Sequence, residues 1–268
     1  MSVTIDGATR LHIIVGDPIA QVKSPAGMTA SFARRGVNAV MVPVQVSPAD
    51  LADVVEASSR IGNLDSIVVT IPHKFACYKF CSSTTDRAAF LGAVNIMRRS
   101  PEGWHGDMTD GQGMTEAIRA KGGKFQDMRV LLVGAGGAGS AIALAVVEAG
   151  ARELAIYDTD SQRRDGLISR LKKRGANVSV GSENPSGFNV IINASPAGMK
   201  AGDRTPVDVT KLKPEMFAAC VITSPAASPF IEAARSAGCR TSVGGDMFAA
   251  QVEFIVDFLL GGLPGGSR

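Results

Sequence analysis

The sequence lacks a long apolar run, a block of basic residues and a cysteine-rich framework. No apolar run reaches the ~20 residues that a membrane-spanning helix needs, and Met1–Arg10 carries polar and charged residues where a signal peptide has its apolar stretch. The formal net charge is only +3 and no dense Lys/Arg cluster is present, so a nucleic-acid partner is not expected. The four cysteines fit free thiols in a reducing compartment. We therefore expect a cytoplasmic protein that binds neither a membrane nor nucleic acid.

One short pattern raises the question of a metal ion. His73, Cys77 and Cys81 are spaced four residues apart, which would place all three on one face of a helix. A structural metal site normally needs a fourth ligand and supporting hydrogen bonds, and no other Cys/His cluster supplies one. We therefore expect no metal and interpret the spacing as helix packing.

Short β-branched runs alternate with helical patterns along the whole chain. The predicted strands cover residues 11–15, 39–46, 66–71, 93–99, 129–133, 153–157, 190–193 and 218–222. The predicted helices cover residues 26–35, 51–59, 138–148, 161–173 and about 247–260. This alternation predicts βαβ units and mainly parallel sheets with both faces covered.

The length of 268 residues is suited to two domains, because domains usually contain ~100–200 residues. The boundary is best placed near Gly106, before the predicted helix that begins around Asp110. We predict an α/β fold with a first domain of residues 1–106 and a second of residues 107–246. The C-terminal helical segment, 247–268, is expected to pack back on the first domain.

A glycine-rich turn lies between the predicted strand 129–133 and the helix that follows. Residues 134–139 read Gly-Ala-Gly-Gly-Ala-Gly and match the GxGxxG pattern of dinucleotide-binding folds. Gly134 would make the tight turn, Gly136 would let the backbone approach a pyrophosphate, and Gly139 would allow close packing of helix on strand. The N–H groups at the helix start, from Gly137 and Ala138, would face the phosphates. The second domain is therefore predicted to be a Rossmann-type NAD(P)-binding domain.

Asp158 ends the second strand of that unit, where an acidic residue commonly binds the adenosine ribose. A carboxylate there accepts hydrogen bonds from the ribose hydroxyls and repels the additional phosphate of NADP. Thr159 offers no positive charge, so NAD is favoured. Arg163 and Arg164 follow closely and leave NADP open.

Six segments, in order, make the chain resemble the shikimate/quinate dehydrogenase family over nearly its full length. They are 16–25 (GDPIAQVKSP), 69–74 (VTIPHK), 92–95 (GAVN), 106–111 (GDMTDG), 193–199 (NASPAGM) and 244–251 (GGDMFAAQ). The resemblance implies an N-terminal domain that binds a small hydroaromatic substrate and carries the catalytic groups. It implies catalysis by Lys74 and Asp110 and substrate contacts by the residues Ser24, Thr70, Asn95 and Gln251. It also implies cofactor contacts by the residues Ser195, Gly244 and Met247.

The implied residues also make chemical sense individually. Oxidation of a secondary alcohol moves a hydride from carbon and a proton from oxygen, and a Lys–Asp pair can relay that proton. Asn95 interrupts an apolar strand, and Gln251 lies on an apolar helix face, where a buried amide needs partners. Taken singly, Lys74 could be a surface lysine and Asp110 a helix N-cap.

The sequence departs from the family pattern at several positions of the substrate segments. Val22 lies at the position where the family usually has a second serine that binds the substrate carboxylate. The other replacements are Val68 and Met108 for asparagines, Thr223 for a tyrosine and Cys220 for an acidic residue. We expect the reaction type to be retained and the preferred substrate to have moved toward a related hydroaromatic alcohol, such as quinate or an amino-substituted analogue.

Two alternative functions stay open from the sequence. One is a main-pathway, NADP-dependent shikimate dehydrogenase of aromatic amino-acid synthesis. The other is a dinucleotide-binding sensor without catalysis, although the joint presence of Lys74, Asp110 and Asn95 disfavours it. The sequence does not distinguish a monomer from a homodimer.

Overall fold

The computed structural model describes residues 4–261, and its contacts divide the chain into two compact units. The first unit contains residues up to Thr109 together with those from Gln251 onward, and the second is Asp110–Ala250. The predicted domain boundaries, after residues 106 and 246, lie a few residues before these division points.

The first unit is built around a six-stranded sheet with the strand order β2-β1-β3-β5-β6-β4. Its strands are β1 (Arg10–Gly16), β2 (Ala39–Gln45), β3 (Leu64–Val69), β4 (Cys81–Thr84), β5 (Ile96–Ser100) and β6 (Gly103–Asp107). Its helices are α1 (Ser24–Arg34), α2 (Leu51–Ser58), α3 (Lys74–Tyr78) and α4 (Asp86–Leu91). Every residue of β3 is buried, so this strand lies at the centre of the core.

The sheet of the first unit is mixed. β1 pairs parallel with β2 and β3, and β4 pairs parallel with β6, as the alternating pattern predicts. β5 pairs antiparallel with both β3 and β6. The antiparallel pairs bring the residues before β5 and after β6 together at one end of the sheet.

The second unit has a six-stranded sheet in which every strand pairing is parallel. Its strands are β7 (Arg129–Val133), β8 (Glu153–Tyr157), β9 (Val178–Val180), β10 (Val190–Asn193), β11 (Phe217–Cys220) and β12 (Arg240–Ser242). Its helices are α5 (Asp110–Ala120), α6 (Gly137–Glu148), α7 (Ser161–Lys172), α8 (Pro229–Ser236) and a 3₁₀ turn at Val209–Lys211. The strand order β12-β11-β10-β7-β8-β9 is that of a Rossmann fold. The predicted α/β fold with a dinucleotide-binding unit is confirmed.

The last helix, α9 (Gly244–Leu260), begins in the second unit and ends in the first. Its C-terminal part packs on α1 through Glu253, which pairs with Arg34 at 2.9 Å and with Arg35 at 2.5 Å. The sequence analysis predicted that a C-terminal segment, 247–268, packs back on the first domain. The predicted segment extends to residue 268, and its residues 262–268 lie outside those described. Among residues 4–261, no helix is long and apolar enough to cross a membrane.

Several sequence-based expectations were wrong in detail. Cys81 does not share a helix with His73 and Cys77, because α3 ends at Tyr78 and Cys81 opens β4. The predicted strand 93–99 begins only at Ile96. The elements that the sequence analysis did not predict are β4, β6, β9, β12, α4 and α8.

Candidate active site

The first unit contains a buried cluster of three polar side chains, Asn95, Thr109 and Gln251. Their exposed fractions are 3%, 1% and 6%. Nδ2 of Asn95 donates to Oγ1 of Thr109 at 3.0 Å, and Nε2 of Gln251 donates to the same oxygen at 2.9 Å. The structure thus joins two predicted substrate-binding residues, 95 and 251, through a threonine to which the sequence analysis gave no role.

Asp107 anchors the strand that leads into this cluster. It is 2% exposed, and its carboxylate accepts hydrogen bonds from Arg87, Thr85 and the backbone N–H of Met108. Burial alone would raise the pKa of this carboxyl, but the hydrogen bonds from Arg87 and Thr85 keep the pKa below its ordinary value. Asp107 is therefore a charged structural anchor of β6.

Lys74 is the first residue of α3 and is half-buried. Its carbonyl oxygen accepts a backbone hydrogen bond at 3.0 Å from Val94, the residue before Asn95. The start of α3 is therefore tied to the segment that carries Asn95, and both belong to the same unit.

Thr70 follows β3, and its backbone N–H donates to the carbonyl oxygen of Val15 at 2.9 Å. Its methyl group fills the space beside Gly16, where an added Cβ would lie 2.3 Å from Cγ2 of Thr70. Asp17 donates to the carbonyl oxygen of Ile71 at 2.9 Å. These contacts hold the start of the predicted substrate loop against the segment of Thr70.

Ser24 opens α1 and is 8% exposed. Val22, two residues earlier, is half-buried and lines a shallow pocket of about 320 Å³. The pocket is lined by Ile19, Ala20, Val22, Lys23, Pro25, Ala26 and Pro43. Apart from the Lys23 side chain, this wall of the substrate loop is apolar.

Asp110 is the first residue of α5 and directly follows Thr109 in the chain. Its exposed fraction is 4%, so its carboxylate is not an ordinary surface group. The N-terminal position on a helix favours a negative charge, because the N–H groups of the first turn are not used within the helix.

The glycine turn of the second unit has the geometry that the GxGxxG pattern requires. Gly134 has a φ of +102°, and an added Cβ would lie 2.8 Å from the carbonyl carbon of Ala194. At Gly139 an added Cβ would lie 2.0 Å from the carbonyl oxygen of Gly134, which requires close packing of α6 on the turn. At Gly136 an added Cβ would meet no atom within 4 Å. The open space beside Gly136 and the start of α6, at Gly137 and Ala138, fit a pyrophosphate.

Asp158 lies next to this turn. Its side chain is 8% exposed, and its carboxylate accepts hydrogen bonds from the backbone N–H of Ala135 at 2.6 Å and of Asp160 at 2.8 Å. Arg163 lies 3.9 Å from this carboxylate and 3.2 Å from that of Asp160, and Arg164 pairs with its neighbour Asp165. Asp158 therefore also braces the glycine turn, a role that the sequence pattern did not predict.

Ser195 lies in a loop that Asn193 organises from its end of β10. Asn193 is fully buried, and its Oδ1 accepts hydrogen bonds from the N–H of Ser195 at 3.0 Å and from its hydroxyl at 2.6 Å. The Asn193 amide donates to the carbonyl oxygen of Ala197 at 3.1 Å. Asn193 is thus a second residue whose role the sequence analysis missed. An asparagine ending a buried parallel strand was the available signal.

Gly244 and Met247 lie in the first turn of α9. An added Cβ at Gly244 would lie 2.3 Å from the carbonyl oxygen of Ile222, so only glycine fits there. Met247 is 7% exposed. Both residues belong to the second unit, together with the glycine turn and Asp158.

The His73 and Cys77 side chains are buried, and Nε2 of His73 bonds the carbonyl oxygen of Val46 at 2.7 Å. Burial raises the pKa of both Cys77 and Cys81 to about 12, which disfavours the thiolate form that binds metals. Within residues 4–261, no group of three or more His, Cys, Asp or Glu side chains is placed to hold a metal ion.

Two family models match parts of the chain. A family model described as the shikimate dehydrogenase substrate binding domain matches residues 14–97, and one described as the ThiF family matches residues 112–163. The shikimate dehydrogenase (NADP(+)) of Rubrobacter xylanophilus is 34% identical, over 90% of this chain and 87% of its own length.

Two solved structures with similar folds are named for substrates other than shikimate. The quinate dehydrogenase of Corynebacterium glutamicum, in complex with NAD, is 26% identical with a TM-score of 0.82, covering 94% of each chain. The 5-ketofructose reductase of Gluconobacter sp. strain CHM43 is also 26% identical with a TM-score of 0.82, over 94% of this chain and 93% of its own. The relative from Rubrobacter, which is 34% identical over 90% of this chain, establishes the family. The chain belongs to the shikimate/quinate dehydrogenase family of NAD(P)-dependent oxidoreductases.

Proposed function

We propose that this enzyme transfers a hydride between NAD and a hydroxyl-bearing carbon of shikimate or of a related hydroaromatic polyol. The observation that carries the proposal is the buried amide cluster of Asn95, Thr109 and Gln251, in which Thr109 directly precedes Asp110 in the chain. Buried amides in one compact unit suit a small ligand with several hydroxyl groups, because each amide both donates and accepts. The relatives named above act on ligands of this kind.

Lys74 and Asp110 are proposed to transfer the proton of the substrate hydroxyl. A bound nicotinamide would supply the hydride acceptor. As the C–H bond breaks with its electron pair, the O–H bond also breaks, its proton passes to Nζ of Lys74, and a C=O bond forms. The Asp110 carboxylate accepts a hydrogen bond from the same hydroxyl or from the lysine and orients the pair. In the reverse direction Lys74 returns the proton to the carbonyl oxygen.

The cofactor is proposed to be NAD, with NADP as the weaker ligand. Asp158 and Asp160 place two carboxylates in the loop after β8, and Arg163 lies within 3.9 Å of both. The two carboxylates offset the positive charge of Arg163, and Arg164 is paired with Asp165 at 2.8 Å. An additional phosphate on the ribose would meet this acidic loop and be repelled.

The preferred substrate is proposed to differ from shikimate. Val22 lines an apolar wall of the substrate loop, where the family resemblance expects a serine that binds the substrate carboxylate. Val68 and Met108, which also replace polar residues of the family pattern, are 4% and 1% exposed. The similar fold of a 5-ketofructose reductase is consistent with a family that accommodates substrates other than shikimate.

The main-pathway alternative, an NADP-dependent shikimate dehydrogenase of aromatic amino-acid synthesis, is favoured by the names of the curated relatives. The acidic loop after β8 disfavours this alternative, because it would repel the additional phosphate of NADP. A sensor without catalysis is disfavoured by family membership. We place the enzyme in the cytoplasm, because its four cysteines are unpaired.

Initial rates test the proposal directly. Shikimate, quinate, an amino-substituted analogue and a non-carboxylated cyclic polyol would each be assayed with NAD and with NADP. The proposal expects turnover of at least one hydroaromatic alcohol, with kcat/KM higher for NAD than for NADP. Efficient turnover of shikimate with NADP alone would establish the main-pathway alternative, and tight NAD binding without any turnover would establish the sensor.

A further inference from the structure

Thr109 is the shared acceptor of the buried amide cluster. Its hydroxyl oxygen accepts hydrogen bonds from the Asn95 amide at 3.0 Å and from the Gln251 amide at 2.9 Å. The residue is 1% exposed. Gln251 and Thr109 are 142 positions apart in the sequence. One hydroxyl therefore connects helix α9 to the segment after β6.

Thr109 also fixes which way the Asn95 amide points. The backbone N–H of Thr109 donates to Oδ1 of Asn95 at 2.9 Å, while Nδ2 of Asn95 donates to Oγ1 of Thr109. A flipped amide would place its NH₂ group against the backbone N–H, so that two donors would face each other. The two-point contact thus selects a single orientation of Asn95.

The same contacts hold the chain that leads into Asp110. The backbone N–H of Asn95 donates to the carbonyl oxygen of Asp107 at 2.9 Å, so Asn95 is bonded to both residues 107 and 109. Asp107 is itself held by Arg87. The backbone is therefore fixed up to the residue immediately before Asp110.

We propose that Thr109 is a positioning residue for the substrate: its hydroxyl orients the amides of Asn95 and Gln251, and its peptide fixes the approach to Asp110. The inference rests on the proposed function, since it assigns Asn95 and Gln251 to the substrate. Thr109 acts through these neighbours and is given no proton-transfer step. Loss of its hydroxyl removes the shared acceptor of two buried N–H donors and weakens the hold on both amides, although the backbone N–H of Thr109 still bonds Oδ1 of Asn95.

The test compares Thr109→Val, which keeps the shape and removes the acceptor, with Thr109→Ser, which keeps the hydroxyl. Thr115→Val is the matched control, because Thr115 is 4% exposed and its hydroxyl bonds helix carbonyls, those of Gly111 and Gln112, both at 3.1 Å. For each variant kcat, KM for the alcohol and KM for NAD would be measured. Thr109→Ala provides a smaller replacement if Thr109→Val does not fold.

Thr109→Val should lower kcat/KM for the alcohol about 10- to 100-fold, with KM for NAD changed less than about 2-fold. Thr109→Ser should stay within about 3-fold of wild type, and Thr115→Val should leave kcat/KM unchanged. In a double-mutant cycle with Gln251→Leu, the combined loss should be smaller than the product of the two single losses.

Other outcomes separate the two proposals. A wild-type enzyme without turnover of any alcohol overturns the proposed function. An active wild type with equal kcat/KM in Thr109→Val, or a double-mutant cycle that is fully multiplicative, overturns the role of Thr109 alone. Equal losses in kcat/KM for the alcohol and in affinity for NAD would show a general structural defect and also overturn it.

Discussion

The carboxylate of Asp158 accepts a hydrogen bond from the backbone N–H of Ala135 at 2.6 Å, which joins the end of β8 to the glycine turn. The same carboxylate accepts the N–H of Asp160 at 2.8 Å. Two backbone donors therefore hold the negative charge in place beside the surface where a dinucleotide is expected. The residue that is proposed to select the cofactor therefore also holds the turn that is proposed to bind the pyrophosphate.

Removing the charge at position 158 should reduce the preference for NAD. In Asp158→Asn the amide oxygen can still accept from the Ala135 N–H, which keeps the glycine turn, while the bond from the Asp160 N–H and the repulsion of a ribose phosphate are lost. We expect the ratio of kcat/KM for NAD to that for NADP to fall about 10-fold, which corresponds to about 1.4 kcal/mol. Initial rates with both cofactors measure this ratio.

Asp165→Asn is the matched control for this change. Asp165 is exposed and paired with Arg164 on α7, so its neutralisation alters the local charge by the same amount. The ratio should be little changed in this variant. An unchanged ratio in Asp158→Asn would show that the acidic loop does not select the cofactor.

A hydroxyl at position 22 should improve activity on a substrate with a carboxylate. Val22→Thr is nearly isosteric and adds one donor to the apolar wall of the substrate loop. The gain of one hydrogen bond of about 0.5–1.5 kcal/mol predicts roughly 2- to 13-fold higher kcat/KM for shikimate. Val22→Ala, which changes the volume without adding a hydroxyl, should show no gain. If both variants respond alike, the hydroxyl is irrelevant and the altered-substrate proposal loses its main support.

Stability should depend on pH through His12. This side chain is fully buried in β1, its Nδ1 lies 2.6 Å from Oγ of Ser66, and its ring stacks on Phe32 with centroids 4.5 Å apart. Burial, with a smaller effect of Arg10, lowers its pKa from 6.5 to about 4 against the opposing charge of Asp65. The neutral form is therefore favoured in the folded state, and unfolding takes up a proton between these two pH values.

The direction of the change in stability with pH follows from this proton uptake. The stabilisation is fully present above about pH 6.5 and is lost as the pH falls from there to about 4, with a total on the order of 3 kcal/mol. Urea unfolding at several pH values measures the slope. His12→Asn should flatten the curve in this window while leaving the acid-induced decline below pH 4, to which Asp107 contributes. The same slope in His12→Asn as in wild type would exclude His12 as the titrating group.

The second unit was the more predictable half of the fold. β7 and β8 were predicted with the observed bounds, and α6 to within one residue, because apolar runs and the glycine turn mark their ends. Other elements carry weak local signals. β6 has the sequence GWHGD, without an apolar run, and it forms a strand because it pairs with β5.

One missed helix did carry a signal. α4 begins after Thr85, whose side chain accepts from the N–H of Ala88, and is followed by its C-cap Gly92 with a φ of +63°. A threonine N-cap and a C-terminal glycine are recognisable in a sequence. The role of Thr109 could not be predicted, because it depends on contacts with residues far along the chain. Its neighbour Asp110 was identified only through the family resemblance.

The central claim is that Lys74 transfers the proton of the substrate hydroxyl, and the most direct measurement is kcat of Lys74→Ala. Lys79→Ala is the control, since Lys79 is the exposed C-cap residue that follows the same helix. The account predicts that Lys74→Ala lowers kcat at least ~10²-fold with the dissociation constant of NAD unchanged, while Lys79→Ala stays near wild type. A Lys74→Ala enzyme with near-normal kcat would contradict the account.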